Sequence, residues 1–202
     1  VRGVEQPPPG LLELAQLGSG SGVQPFANAA DHEAWLARAA RWPHWVDMAI
    51  ANMRRGIAEG VVLPRVLAER VLPQLEAHIV DDPQRSVFWG PVGKLAPGAE
   101  RDALEPRYRE LITTGIVPAY RALHAFMRDE YLPAARTSVG RSALPDGANW
   151  YALDIRTNTT LPLTAAEIHR TGLEQVALLH AEFEQVRVRM GFEGSLPEFF
   201  EH

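Results

Sequence analysis

With 202 residues, 46% of them hydrophobic, the chain can bury one real core and is short for two, so it reads as one domain or one piece of a larger one. Its net charge of -5 comes from intermingled acids and bases without the basic stripe a phosphate backbone needs, which argues against nucleic acid as a partner. Zero cysteines exclude disulfides, thiolate metal ligands and a cysteine nucleophile.

At the start, Val1 to Gly10 lack the charged and apolar regions of a signal peptide, and no apolar run along the chain approaches the roughly 20 residues that cross a bilayer. No membrane association is expected. The compartment stays open between the cytoplasm and export after loss of an upstream signal. Pro7-Pro8-Pro9-Gly10 and Gly18-Ser19-Gly20-Ser21-Gly22 favour extended or flexible backbone, so residues 1–30 are expected to be a flexible or extended segment holding at most a short helix at Leu11 to Leu17. Residues 31–202 are expected to form a helical domain.

From Asp31, read as an N-cap, apolar residues recur at Trp35, Ala39, Trp42, Val46, Ala49, Met53 and Ile57, a spacing of three and four that marks one helical face. Pro43 should break or kink this run and act as the first residue of a second segment. Gly60 then ends it, and Pro64 opens a helix to about His78, disturbed at Pro73. Residues 81–100 collect Asp-Asp-Pro, Trp-Gly-Pro and Pro-Gly and predict a long loop. The single lysine, Lys94, sits there in a stretch that reads as solvated.

A core-facing helix pair follows, with Leu104, Tyr108, Leu111, Val117, Tyr120, Leu123, Met127 and Tyr131 close to one stripe and a kink at Pro118. Tyr151, Leu153 and Ile155 alternate as in a half-buried strand, so a short β ribbon is expected near 150–161. Thr164-Ala165-Ala166-Glu167 fits a capping box. It opens a helix with Ile168, Gly172, Val176, Leu179, Phe183, Val186 and Met190 on one face and Gly191 placed just past its end. The expected fold is mainly α, a multi-helix array with kinked helices.

No complete catalytic site is legible. A zinc peptidase needs two histidines one helical turn apart with a glutamate between them. The nearest approach, His32-Glu33-Ala34-Trp35-Leu36, has a leucine where the second ligand should stand. His169 and His180, eleven residues apart, lie roughly 16 Å apart along one helix and cannot share a zinc ion. His180 and Glu184 could supply two ligands of a site completed elsewhere, but a partly exposed polar helix face is the commoner explanation of such a pair. No Gly-x-Ser-x-Gly elbow occurs, and Ser138, Ser142 and Ser195 lie among loop signals. Paired carboxylates among 25 acids carry no specificity, because the separation that matters is spatial. The expected ribbon offers a strand edge for main-chain pairing with an extended peptide, with Trp150, Tyr151, Arg156 and His169 beside it for side-chain recognition. The competing reading makes Trp150 and Tyr151 core residues.

Several segments together resemble the domain-of-unknown-function 885 family, bacterial proteins regarded as zinc metallopeptidases of mostly helical fold. The similar residues are Ile116-Val117-Pro118-Ala119-Tyr120, Tyr131-Leu132-Pro133-Ala134-Ala135-Arg136 and Pro145-Asp146-Gly147-Ala148-Asn149-Trp150-Tyr151. The most specific piece is Leu163-Thr164-Ala165-Ala166-Glu167-Ile168-His169, with Gly172-Leu173-Glu174-Gln175-Val176 behind it.

The family's zinc motif, of His-Glu-x-x-Pro-Gly-His-His type, follows the Glu-Ile-His helix, and this sequence reaches Glu201-His202 before any such motif. No zinc ligand is therefore carried over. The resemblance implies the N-terminal or middle portion of a zinc-dependent peptidase, with zinc and a peptide substrate in the complete protein and the remaining C-terminal part of the fold as its partner. Such a portion would be inactive alone and would give one wall of the cleft, with Trp150, Tyr151, Arg156 and His169 as the candidates for facing it. The alternative is a non-catalytic helical binding or interaction module.

Overall fold

A computed structural model describes residues 13–202. The Pro7–Gly10 segment, and with it the reading of Val1 to Gly10, lies outside them. The chain divides into two compact units, the first ending at Pro145 and the second spanning Asp146–His202. Both are helical. Among the described residues the only extended pairing is an isolated parallel bridge between Pro64 and Arg136, so the architecture is the multi-helix array the sequence predicts.

In the first unit, α1 (Glu13–Gly18) is the short helix expected near Leu11 to Leu17. Helix α2 (Ala29–Ala39) begins ahead of the expected cap, because Asn28 rather than Asp31 occupies the extended N-cap position. The Asn28 side chain accepts from the Asp31 amide at 3.1 Å, and Asp31 Oδ2 accepts from the Ala27 amide at 2.9 Å. The two side chains thus serve main-chain amides at the helix start. Helix α3 (Trp42–Glu59) restarts with Pro43 in its first turn, where a missing amide hydrogen costs nothing. Its end is a Schellman motif: the Gly60 amide donates to Ile57 O and the Val61 amide to Gly56 O, with Gly60 at φ +72°, a conformation that favours glycine. Helix α4 (Arg65–Glu76) follows Pro64 and carries Pro73 without ending there.

Residues 81–100 are more ordered than a loop. Two 3-10 turns, Pro83–Arg85 and Val87–Trp89, lead into α5 (Gly90–Gly93). The Asp82 and Ser86 side chains cap the two turns by accepting from the Gln84 and Phe88 amides. The turns carry Phe88, Trp89 and Val92 into the core. Turn-forming residues recur through the segment, but the apolar side chains between them outweigh the tendency of such segments to stay on the surface.

The expected helix pair is one continuous helical run. It consists of α6 (Ala99–Glu110), a π-helical turn at Leu111–Ile116, α7 (Val117–Phe126), a second π turn at Met127–Tyr131, and α8 (Leu132–Ala134). Proline lacks an amide hydrogen, and its ring clashes with the carbonyl four residues back. Both π turns stand just ahead of a proline, Pro118 and Pro133, and each widening moves that carbonyl away, so the helix passes through instead of breaking. The Thr113 and Thr114 hydroxyls donate to Arg109 O at 2.8 Å and Glu110 O at 2.7 Å, one turn back.

Tyr108, Ile112, Ile116, Tyr120, Leu123, Met127 and Tyr131 point from this run into the core, each at most 1% exposed. Helix α7 packs against α3 and α4. Tyr120 meets Trp42 at 5.4 Å and His78 at 4.7 Å between ring centroids. Tyr131 accepts from the Leu63 amide at 2.9 Å, and the Arg136 guanidinium donates to Val62 O at 3.0 Å and Gly140 O at 2.9 Å. These bonds tie the turn before α4 to the segment after α8.

The second unit holds α9 (Gly147–Thr159), α10 (Ala165–Arg189) and α11 (Leu196–Glu201). Helix α9 replaces the expected β ribbon near 150–161. A five-residue alternation does not by itself separate the two structures, and a strand needs a neighbour for its main-chain groups, whereas a helix satisfies them within itself. Local bonds favour the helix: Asn158 Nδ2 donates to Asp154 O at 2.9 Å and Thr159 Oγ1 to Ile155 O at 2.7 Å. Asp146 and Thr160, at φ 57° and 61°, turn the backbone left-handed at both ends. The capping box of α10 forms as predicted, with Glu167 Oε2 2.8 Å from the Thr164 amide and Thr164 Oγ1 3.2 Å from the Glu167 amide. Gly191, at φ +70°, closes its C-terminus.

Candidate functional site

The four residues singled out for peptide recognition all lie in the second unit. Trp150, Tyr151 and Arg156 stand on α9 and His169 in the first turns of α10. Trp150 is half-buried, while Tyr151, Arg156 and His169 are exposed, so Tyr151 is not the core residue of the competing reading. At about 100° per residue, Trp150 and Tyr151 point roughly 100° apart and Arg156 roughly 120° and 140° from them, so the three do not share one helix face. The strand edge is gone as well: α9 spends its amides and carbonyls on its own hydrogen bonds, leaving no row for an extended peptide to pair with.

The metal-like patterns are engaged in other interactions. His32 is fully buried on α2, its Nδ1 2.8 Å from the Tyr108 hydroxyl, with its ring 5.3 Å from Phe26. Burial holds its pKa below the usual imidazole value, although the Glu100 and Asp31 charges act the other way. Glu33 is paired with Arg107, whose guanidinium bonds hold the carboxyl below its ordinary range. Glu184 accepts from Arg187 at 2.9 Å and is likewise held low, so His180 has no uncommitted carboxylate one turn away. Among the described residues no group of three or more histidine and carboxylate side chains is placed to hold a metal ion. The residues present do not fit a zinc site.

The first unit contains a groove that sequence reasoning missed. It has a volume of about 550 Å³ beside the first π turn and is lined by Glu33, Leu36 and Ala40 from α2 and its end and by Arg107, Leu111 and Thr114 from α6 and the π turn. Glu33 and Arg107 are 74 residues apart, and only the packing of α2 on α6 joins them, so no local pattern could have announced the groove. Thr113 and Thr114, the hydroxyls nearest it, are spent on main-chain carbonyls. The groove offers ionic and apolar contacts, not an activated nucleophile.

Fold and surface together define an all-helical protein among its described residues. The chain belongs to the family described as bacterial protein of unknown function (DUF885), whose profile matches residues 5–202. A solved structure from Colwellia psychrerythraea, described as a "putative lipoprotein", superposes with a TM-score of 0.85 at 17% identity, over 94% of this chain and 33% of its own. At that identity the likeness is one of fold. The chain spans about a third of the length of that structure. No curated protein matches it, and among the described residues no helix is long and apolar enough to cross a membrane.

Proposed function

We propose that this chain is the N-terminal or middle portion of a zinc-dependent peptidase, forming part of the peptide-binding cleft without supplying the metal site. What carries the reading is the family membership over residues 5–202 joined to the one-third share of a longer protein of the same fold. The exposure of Tyr151, Arg156 and His169 supports their part in it, since a peptide reaches only side chains that face solvent before it binds. Zinc is expected in the complete protein with ligands outside these residues. This chain's own contribution is to bind and orient: Tyr151 and Trp150 by apolar and ring contacts, Arg156 and His169 by hydrogen bonds to peptide carbonyls or carboxylates.

Metal analysis and peptide hydrolysis assays on the complete gene product test the reading. The expected result is about one zinc per chain, activity abolished by chelation, and a several-fold rise in KM with little change in kcat for Tyr151→Ala and His169→Ala. Absence of stoichiometric zinc, or hydrolysis indifferent to chelator, overturns it. A second reading, a non-catalytic helical binding module, draws support from the first unit, whose aromatic and aliphatic core is continuous. A complete gene product free of zinc and of hydrolytic activity favours that reading.

A further inference from the structure

Helix α10 is 25 residues long and not one of them is buried. Its apolar face nonetheless has the regular spacing of a packed helix: Ile168, Gly172, Val176, Leu179, Phe183, Val186 and Met190 succeed one another every three or four residues, within about 80° of arc on the helical wheel. From Ile168 to Met190, a rise of roughly 33 Å, this makes one uninterrupted strip. Val176 is 50% exposed, Leu179 45% and Met190 68%. Helix α11 covers only the far end, where Phe200 meets Phe183 edge-on at 5.1 Å. Ion pairs along the rest of the helix, Arg170 with Glu174 at 3.8 Å and Arg187 with Glu184, lie off the strip and leave it uncharged. Both ends are fixed locally, by the Thr164 capping box and by a Schellman closure in which the Phe192 amide donates to Arg187 O and the Gly191 amide to Val188 O. The strip is therefore a defined surface presented to something else.

We propose that this face of α10 is the seat of a helical layer from the remaining two thirds of the longer family fold, carried on the same polypeptide. The inference rests on the reading that the chain is a portion of a larger protein and names where the rest attaches. The similar structure superposes on 94% of this chain yet is three times as long, so a fold of this kind brings further polypeptide for an uncovered helix to pack against. A lipid surface suits the face poorly, because the charged residues of the helix are four glutamates and three arginines, whereas helices that lie on membranes carry a basic polar face. A second copy of the chain is the occupant the experiment must separate.

The test compares amide exchange over residues 168–190 in the 202-residue chain and in the complete gene product. Val176→Glu/Leu179→Glu, two substitutions clear of the Phe183–Phe200 contact, are made in both, with 8-anilinonaphthalene-1-sulfonate as the probe of apolar surface. Expected are fast exchange and bright dye fluorescence in the 202-residue chain, the fluorescence cut several-fold by the double substitution without change in the first unit's unfolding. In the complete product exchange is expected to slow on the order of 100-fold, with protection lost in the double variant. Equal exchange in both, a gene product that ends at His202, or protection in the 202-residue chain that grows with concentration, the signature of a second copy, overturns the proposal. Protection without zinc leaves the attachment standing and removes only the peptidase reading.

Discussion

His32 shows what a single side chain can impose. Fully buried, with one ring nitrogen on the Tyr108 hydroxyl and Nε2 without a partner, it is held neutral by the fold. Its folded pKa lies below the ordinary value of 6.5, so the unfolded chain takes up the proton first as pH falls. Its contribution to stability is present in full above about pH 6.5 and is lost as pH drops toward the folded value. His78, lowered by burial beside Tyr120 and Phe88, acts in the same direction. Denaturant titrations between pH 8 and 5 should show stability falling with acid, and His32→Phe should flatten the slope without abolishing it. Tyr108→Phe leaves the imidazole with no partner and should cost about 1–3 kcal/mol at neutral pH, read in the same titration. At Gly90 the constraint is steric: a Cβ would stand 2.2 Å from the Ser19 carbonyl oxygen. Backbone cannot yield as a side chain can, so Gly90→Ala should destabilise by about 1–3 kcal/mol or more and lower the melting temperature accordingly.

At the scale of elements, caps and spacing explain most of what forms. The Thr164 box and the Gly60 and Gly191 closures follow local rules in which a few neighbouring residues satisfy one another. Thr164→Ala should fray the start of α10 and reduce helical circular dichroism, at a cost of about 1 kcal/mol. The helical run from α6 to α8 is the instructive departure. Pro118 reads as a kink when weighed alone, yet a π turn ahead of it, and another ahead of Pro133, let the run continue, because Ile116, Tyr120, Leu123 and Tyr131 gain more from one continuous core face than two separate helices would offer. Leu123, fully buried on α7, tests that view: Leu123→Ala should cost about 2–5 kcal/mol in denaturant unfolding followed by tryptophan fluorescence. Trp42, Trp35 and Trp89 are core residues and report on it.

Across the whole molecule, the two compact units differ in kind. The first encloses its aromatic and aliphatic side chains in a single core. The second, taken by itself, leaves the largest helix unburied. The proposed further layer would account for the difference, since hydrophobic faces in a layered helical protein are covered by whatever layer comes next.

By itself the sequence determined the helical class, the ends of α3 and α10, the amphipathic stripe of α10 and the family resemblance. These depend on residues a few positions apart or on motifs read in order. The packing of α2 on α6 that creates the Glu33–Arg107 groove, the descent of Phe88 and Trp89 into the core, and the capture of His32 by Tyr108 were decided only in three dimensions, because their partners are distant in the chain. Helix α9 belongs with them: Tyr151, Leu153 and Ile155 suit a strand as well as a helix, and no neighbouring strand exists among the described residues to take up strand hydrogen bonds, so the backbone satisfies its own.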